Sequence, residues 1–329
     1  MQLLRNNDLK TFEQLCGLTQ KGVHKTMSTY LKSKYSNVIE TPDYIVAEGD
    51  IPIALVAHMD TVFPRPALNI YYDRVKNVIW SSEGLGADDR AGIFAIIQIL
   101  RKGLRPHIIL TTDEEKGACG AFALSEEKCP FKDLRFIIQL DRRGPNDCVF
   151  YDCDNKKFTS YIEDFGFVEA IGSFSDISVI CPAWGIAGVN LSIGYEDEHS
   201  FIETLWVGHM FNTINKVTTI LTQPIDKIPS FKYIASKRNA SRWYRYTEQA
   251  AKNKEKNDNA CYKCKKTLPQ EELIDVKTCD FKWHQYCGDC VSSGVDWCVT
   301  CGEAYETPSE GHFIGMCEDC YYEYYYSRY

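Results

Sequence analysis

The chain is predicted to fold as an α/β protein, a mostly parallel mixed sheet sandwiched by helices, with a small C-terminal zinc-binding domain. Three observations predict this. Short apolar runs alternate with helix-period stretches between residues 44 and 221, the rhythm of βαβ units. Several of those runs stop abruptly at charged residues, as strands do at the rim of an open sheet. Nine of the fifteen cysteines fall after residue 260, mostly as C-x-x-C pairs.

Taken in order, residues 8–35 carry Leu9, Phe12, Leu15, Leu18, Val23, Met27, Tyr30 and Leu31 at helical spacing, which gives one or two helices interrupted at Gly17 and Gly22. Strands are expected at 51–57, 108–112 and 136–140, with helices at 91–100 and 118–124 between them. A strand near 149–152, a helix at 158–165, a helical run at 176–180 and a buried strand at 188–193 follow. A long helix is expected over 201–221, and Pro224 and Pro229 end the compact part. Between residues 227 and 256 nine Lys or Arg stand against two Glu, so 226–260 reads as a basic linker between a first domain at 1–225 and a cysteine-rich domain at 261–329.

Bulk properties agree with two domains. A length of 329 residues suits one enzyme-sized domain and a small one, and 44% hydrophobic with 25% charged residues suffices for a sizeable core. A net charge of -8 disfavours general polyanion binding by the whole chain. Polar residues break the first stretch before it resembles an export signal, and no apolar run approaches about 18 residues, so a cytoplasmic protein without membrane contact is expected. In that compartment Cys16, Cys119, Cys129, Cys148, Cys153 and Cys181 read as reduced packing residues.

The charged strand ends carry the chemistry. Residues 53–57 run into His58-Met-Asp60, 108–112 into Asp113-Glu114-Glu115, and 136–140 into Asp141. The two-residue period of a strand puts His58 and Asp60 on one face, so Asp60 can accept the second N–H of His58 and fix its tautomer. Asp88 sits in a glycine-rich loop before an apolar helix, where one carboxylate can lie between two cations, while Asp89 reads as a helix-starting residue. Adjacent glutamates point in different directions, which suggests Glu115 as a metal ligand and Glu114 as the group that takes a proton from the attacking water and returns it to the leaving amine. His199, in a turn between a buried strand and a helix, completes the set. Arg142 and Arg143 are candidates to pair with a substrate carboxylate, and Ser175 with Asp176 to recognise a substrate amine, although both pairs also fit charge balance and helix capping.

In order and context these motifs resemble the co-catalytic dizinc exopeptidases of the peptidase T, carboxypeptidase G and bacterial leucyl aminopeptidase type. The resemblance covers residues 40–225: H-x-D at His58 and Asp60, G-A-D-D-x-A-G at 86–92, D-E-E-x-G at 113–117, Asp141 and His199. It implies a phosphorylase/hydrolase-like core and one zinc on His58, Asp88 and Asp141. A second zinc would sit on Asp88, Glu115 and His199, with Asp88 bridging and Glu114 the general base. The peptidase T branch inserts a separate domain between the counterparts of Asp141 and His199, whereas only 57 residues (142–198) intervene here. The architecture therefore matches the single-domain aminopeptidase branch.

The tail reads as structural zinc binding. C-x-x-C pairs can sit on tight knuckles that aim two thiolates at one tetrahedral ion, and a small domain with little aliphatic content needs such support. Cys261 and Cys264, nineteen residues before His284 and Cys287, resemble the first half of a LIM-type finger, with Cys298, Cys301, Cys317 and Cys320 on a second ion. Cys279 and Cys290 are further candidates, and a RING-type cross-brace over the first eight ligands is the competing scheme. About two structural zinc ions follow, besides two catalytic ones. Such a module, with Trp243, Tyr244 and Tyr246 in the basic linker, is a candidate protein or nucleic-acid surface.

The expected activity is hydrolysis of a peptide bond through a dizinc-activated water, an aminopeptidase being the favoured form. N-acyl amino acid amidohydrolase activity is the nearest alternative, because these motifs build a reaction centre and leave the specificity pocket open. A non-catalytic protein recruiting partners through its zinc module is the competitor from another class.

Overall fold

A computed structural model of the chain describes residues 3–236, 260–269, 272–277, 283–291, 295–297 and 304–306. The chain divides into two compact units, Met1–Ala240 and Ser241–Tyr329.

The first unit begins with α1 (Asn6–Cys16) and α2 (Gln20–Lys32). Gly17 ends α1, but Gly22 lies inside the first turn of α2, where its N–H donates to the Thr19 cap. Then follow β1 (Val38–Glu40), β2 (Tyr44–Ala47), β3 (Ile51–His58), β4 (Tyr71–Asp73), β5 (Val78–Trp80), α3 (Ala87–Arg101) and β6 (Pro106–Thr111). Next come α4 (Cys119–Ser125), β7 (Phe136–Arg142), β8 (Asp147–Val149), α5 (Lys156–Glu163), β9 (Val168–Glu169) and α6 (Ile177–Trp184). The unit closes with β10 (Gly188–Ser192), β11 (Tyr195–Glu196), β12 (Thr204–Trp206) and α7 (Val207–Leu221).

Eight strands form the main sheet in the order β1-β2-β6-β3-β7-β10-β8-β9. Its centre, β6-β3-β7-β10, is parallel, with His58 level with Thr111 and Ile53 level with Phe136. The antiparallel edges β1 and β2 on one side and β8 on the other make it mixed. Both faces are covered, so the central strands are mostly apolar, and β3 is buried along its whole length. Ile53, Leu55 and Ala57 join a core with Phe12, Val23, Phe94, Phe158 and Ile214, while the alternate residues Ala54 and Val56 join another with Ala121, Leu124 and Ile180. The α/β fold class is as expected, and the parallel strands deliver their carboxyl ends to one rim.

Two expectations are corrected by packing. Residues 204–206 are a strand, not the start of a long helix: β12 pairs with β5 in a second sheet, β11-β12-β5-β4, and the helix begins at Val207. The stretch read as the start of a linker packs onto the first unit. Ile228 and Phe231 are buried in its core, and backbone bonds tie Phe231 to Arg135 and Ala187, Tyr233 to Gly185, and Ser236 to Asp152. Residues 142–198 are spent on β8, α5, β9, α6, β10 and β11, which leaves no inserted domain between Asp141 and His199.

The second unit contains a four-stranded sheet, β14 (Trp283–Cys287)-β13 (Leu273–Lys277)-β16 (Ala304–Glu306)-β15 (Val295–Trp297), and a single helical turn α8 (Gly288–Val291).

Candidate metal centre

Five candidate ligands meet at the rim. His58 ends β3, Asp88 lies between Gly86 and the regular part of α3, Glu115 follows β6, Asp141 closes β7, and His199 follows β11. They converge as two triads, His58–Asp88–Asp141 and Asp88–Glu115–His199, in each of which the ligand atoms lie within 4.8 Å of one another. Asp88 belongs to both. His58 Nε2 is 3.0 Å from Asp88 Oδ1 and 3.5 Å from Asp141 Oδ1, and His199 Nε2 is 3.2 Å from Asp88 Oδ2 and 2.8 Å from Glu115 Oε1.

This donor set fits divalent cations. Each imidazole nitrogen faces oxygens from two different carboxylates, and one N–H cannot serve both well, whereas a cation between them can. Glu115 Oε1 is buried without a well-formed hydrogen bond although His199 Nε2 lies 2.8 Å away, so its oxygen is free to meet a cation. Nitrogen and carboxylate ligands in groups of three suit zinc and similar transition ions.

Burial and mutual charges shift the titrations within the cluster. Asp88 and Glu115 raise His199 to about 11, and Asp141, Asp60 and Asp88 raise His58 against the burial that lowers it. Burial acts to raise Asp88, but the His199 and His58 imidazoles hold it below the ordinary carboxylate range. Burial and the Asp88 charge lift Asp141 to about 6. Burial also lifts Glu114 to about 9, with His58 opposing and Asp141, Asp176 and Glu115 adding to the rise.

Asp60 organises the centre from behind. Its Oδ1 lies 3.2 Å from His58 Nδ1, as the strand period requires, and its two oxygens accept the backbone N–H groups of Glu114 (3.0 Å) and Glu115 (3.1 Å). One buried carboxylate thus fixes the ring of one ligand and the backbone of both glutamates. Asp89 accepts from Gly92 N–H (2.8 Å), as a helix-starting residue does, and its other oxygen accepts His58 N–H (3.2 Å). Asp88 and Asp89 have non-helical backbone angles and a cis peptide between them, so the regular helix starts beyond them. Gly92 must be glycine: a Cβ there would lie 2.3 Å from the Leu140 carbonyl oxygen.

The substrate-contact candidates divide into a pair balanced within the chain and a pair buried beside Asp141. Arg142 lies 3.6 Å from Asp147 and donates to the Ile171 carbonyl, and the half-exposed Arg143 pairs with Glu198 at 3.2 Å, so both are balanced within the chain. Ser175 and Asp176 are buried, and the Asp176 side chain does not cap the helix that follows it. Ser175 donates to Asp141 Oδ2 (3.0 Å), while Asp176 accepts from Thr111 (2.7 Å) and Gln139 (3.3 Å).

Several supporting residues are absent from the sequence reading. Gln139 and Tyr195 donate to Asp141 at 3.1 Å each, and the Asn190 amide clasps the Asp141 backbone at both N–H (2.9 Å) and C=O (2.7 Å). Buried Arg90 donates to the carbonyls of Leu15, Leu18 and Met59, tying the first two helices to the loop after β3. Glu203, fully buried, accepts the N–H groups of Gly86 (2.6 Å) and Asp88 (3.0 Å). Burial and the Asp88 charge push Glu203 up to about 7, against amide donors that favour its ionised form. Polar residues inside apolar runs, such as Gln139, Asn190 and Glu203, were the available signal.

Glu203 therefore sets the position of the shared ligand. In Glu203→Gln an amide NH₂ must replace one acceptor, which leaves a buried N–H opposed by a donor at a cost of about 1–3 kcal/mol. The expected result is a lower melting temperature and a metal affinity reduced roughly 10–100-fold, as for other residues that hold ligands in place. Thermal unfolding and competition against a chromophoric chelator measure the two. Unchanged affinity would show that the Glu203 contacts do not position Asp88.

In the second unit Cys261, Cys264, Cys287 and Cys290 converge. His284 is not in that group, and its ring stacks on Tyr262 at 3.6 Å. The other tail candidates, Cys279, Cys298, Cys301, Cys317 and Cys320, and the linker residues Trp243, Tyr244 and Tyr246 lie outside the described residues. Among the described residues no helix is long and apolar enough to cross a membrane.

No family model and no curated protein matches the chain. Solved structures do. A tripeptidase from Staphylococcus aureus superposes with TM-score 0.54 at 14% identity, covering 69% of this chain and 100% of that one. An aminopeptidase from the archaeon Desulfurococcus kamchatkensis gives 0.53 at 14%, covering 69% and 98%. The TET aminopeptidase of a marine-sediment Thaumarchaeota archaeon gives 0.53 at 13%, covering 67% and 97%. At these identities the likeness establishes a shared fold.

Proposed function

We propose that the first unit is a zinc-dependent exopeptidase, an aminopeptidase by preference, in which Glu114 is the general base. The observation that carries this reading is the pair of ligand triads sharing Asp88, with a further carboxylate, Glu114, in contact range of His58 and Glu115. His58, Asp88 and Asp141 would hold one ion, and Asp88, Glu115 and His199 the other. When bound, the two ions supply Lewis-acid polarisation of the scissile carbonyl and make water acidic enough to be deprotonated near neutral pH.

The remaining work belongs to the chain. Asp60 locks the His58 ring and, through two backbone amides, sets where Glu114 and Glu115 point. Glu114 accepts the proton of the attacking water and passes it to the nitrogen of the leaving amine. Half-exposed His199 puts the open side of the centre at the β11–β12 turn, where a substrate end can enter. The fold shared with proteins named tripeptidase and aminopeptidase supports a short peptide with a free amino end as the substrate.

The test is amine release after chelator stripping and zinc reloading. Unblocked di- and tripeptides are expected to be cleaved only by reloaded protein, and N-acetylated versions to resist. Cleavage of acyl-amino acids alone would shift the reading to an amidohydrolase. Full zinc loading without hydrolysis of either pool would overturn catalysis by this centre.

A further inference from the structure

The structure assigns a four-cysteine zinc site to the second unit, formed by Cys261, Cys264, Cys287 and Cys290, with His284 outside the ligand set. This differs from the LIM-type pairing read from the spacing, which takes His284 and Cys287 with the first pair. The four sulfur atoms all lie within 4.8 Å of one another. The Cys264 and Cys287 sulfurs are 3.7 Å apart. A tetrahedron with metal–sulfur bonds of about 2.3 Å has edges of roughly 3.8 Å, whereas a disulfide needs about 2.05 Å.

Local backbone geometry serves the same arrangement. The first pair sits on a turn closed by Cys261 N–H to the Lys266 carbonyl (2.9 Å) and Lys265 N–H to the Cys261 carbonyl (2.8 Å), after which Lys265 takes a left-handed backbone (φ 62°). The second pair spans the junction where β14 ends and α8 begins, and Tyr262 N–H to the Gln285 carbonyl (2.7 Å) holds the two pairs together.

A packing role does not account for the quartet. Cys264 is exposed although its sulfur points into the group. Among the described residues the apolar core here is small, with Val276, Tyr286 and Val291 buried beside Cys261 and Cys287. A module of this size gains its stability from a bound ion. Lys263, Lys265 and Lys266 flank the first pair and offset the charge of four thiolates on one divalent ion.

Zinc content of the full chain, by mass spectrometry after removal of loose metal, tests the assignment. Cys264→Ala and Cys290→Ala are each expected to lose one equivalent relative to wild type, and His284→Phe, which keeps a ring on Tyr262, to lose none. Because an alanine variant can lose metal by failing to fold, Cys290→His supplies a second reading. It should retain zinc, and after cadmium-113 exchange one resonance should move from the four-sulfur range to the three-sulfur, one-nitrogen range. Loss of an equivalent in His284→Phe with none in Cys290→Ala would overturn the assignment in favour of the histidine-containing set. Unchanged zinc in all variants would overturn it altogether. None of these readouts depends on hydrolysis, so they stand or fall separately from the proposed activity.

Discussion

Glu114→Gln is expected to lower kcat about 10²–10⁴-fold, the range for loss of a general acid–base group, with zinc content unchanged. The separation rests on geometry. Glu114 is absent from both triads that share Asp88, although its carboxylate lies within 4.8 Å of ligand atoms of His58 and Glu115, and its backbone is held by Asp60 whatever its side chain carries. Glutamine keeps the shape and removes the proton acceptor. Burial raises the Glu114 carboxyl to about 9. Two adjacent divalent charges act in the opposite sense and favour its ionised form. On the proposed mechanism Glu114 acts as a base in the loaded centre, so the kinetic comparison must be made on fully reloaded protein. Wild-type kcat in a zinc-replete variant would remove Glu114 from the mechanism; loss of metal would instead make it a ligand.

The cluster of candidate ligands was legible because strand chemistry exposes it. His58, Glu115 and Asp141 follow apolar runs that bury both faces, and a charged side chain at the end of such a run must lie on the rim. Asp88 was legible through the glycines around it. The supporting residues were harder to see because their partners are remote in sequence. Glu203 reaches across 117 positions to Gly86, and Asn190 across 49 to Asp141. The small sheet was missed since β5 and β12 have three residues each, too few to show a two-residue period. Phe201, Ile202 and Leu205 also stand at helical spacing from the true helix that follows, so the apolar pattern ran on past the strand. The described start of the basic segment, residues 226–236, misled through composition: Ile228 and Phe231 are anchors among solvated lysines.

Asp88 distinguishes a shared centre from two independent sites. If its two oxygens serve both ions, Asp88→Ala removes a ligand from each triad at once, and the first unit should lose both zinc equivalents together with measurable hydrolysis. His58→Ala and His199→Ala each remove a ligand from one of those two triads, so each should lose one equivalent preferentially. The asymmetry follows from position: Asp88 Oδ1 faces His58 at 3.0 Å and Oδ2 faces His199 at 3.2 Å. The apo protein provides the control, because Asp88→Ala also deletes the carboxylate that His58 and His199 both face. The stripped variant should therefore melt below stripped wild type, and zinc, which should raise the wild-type melting temperature, should raise that of the variant little. Metal analysis of the three variants with paired melting curves measures both effects. Loss of a single equivalent in Asp88→Ala would mean that Asp88 does not bridge the two ions, and the shared-ligand arrangement would have to be abandoned.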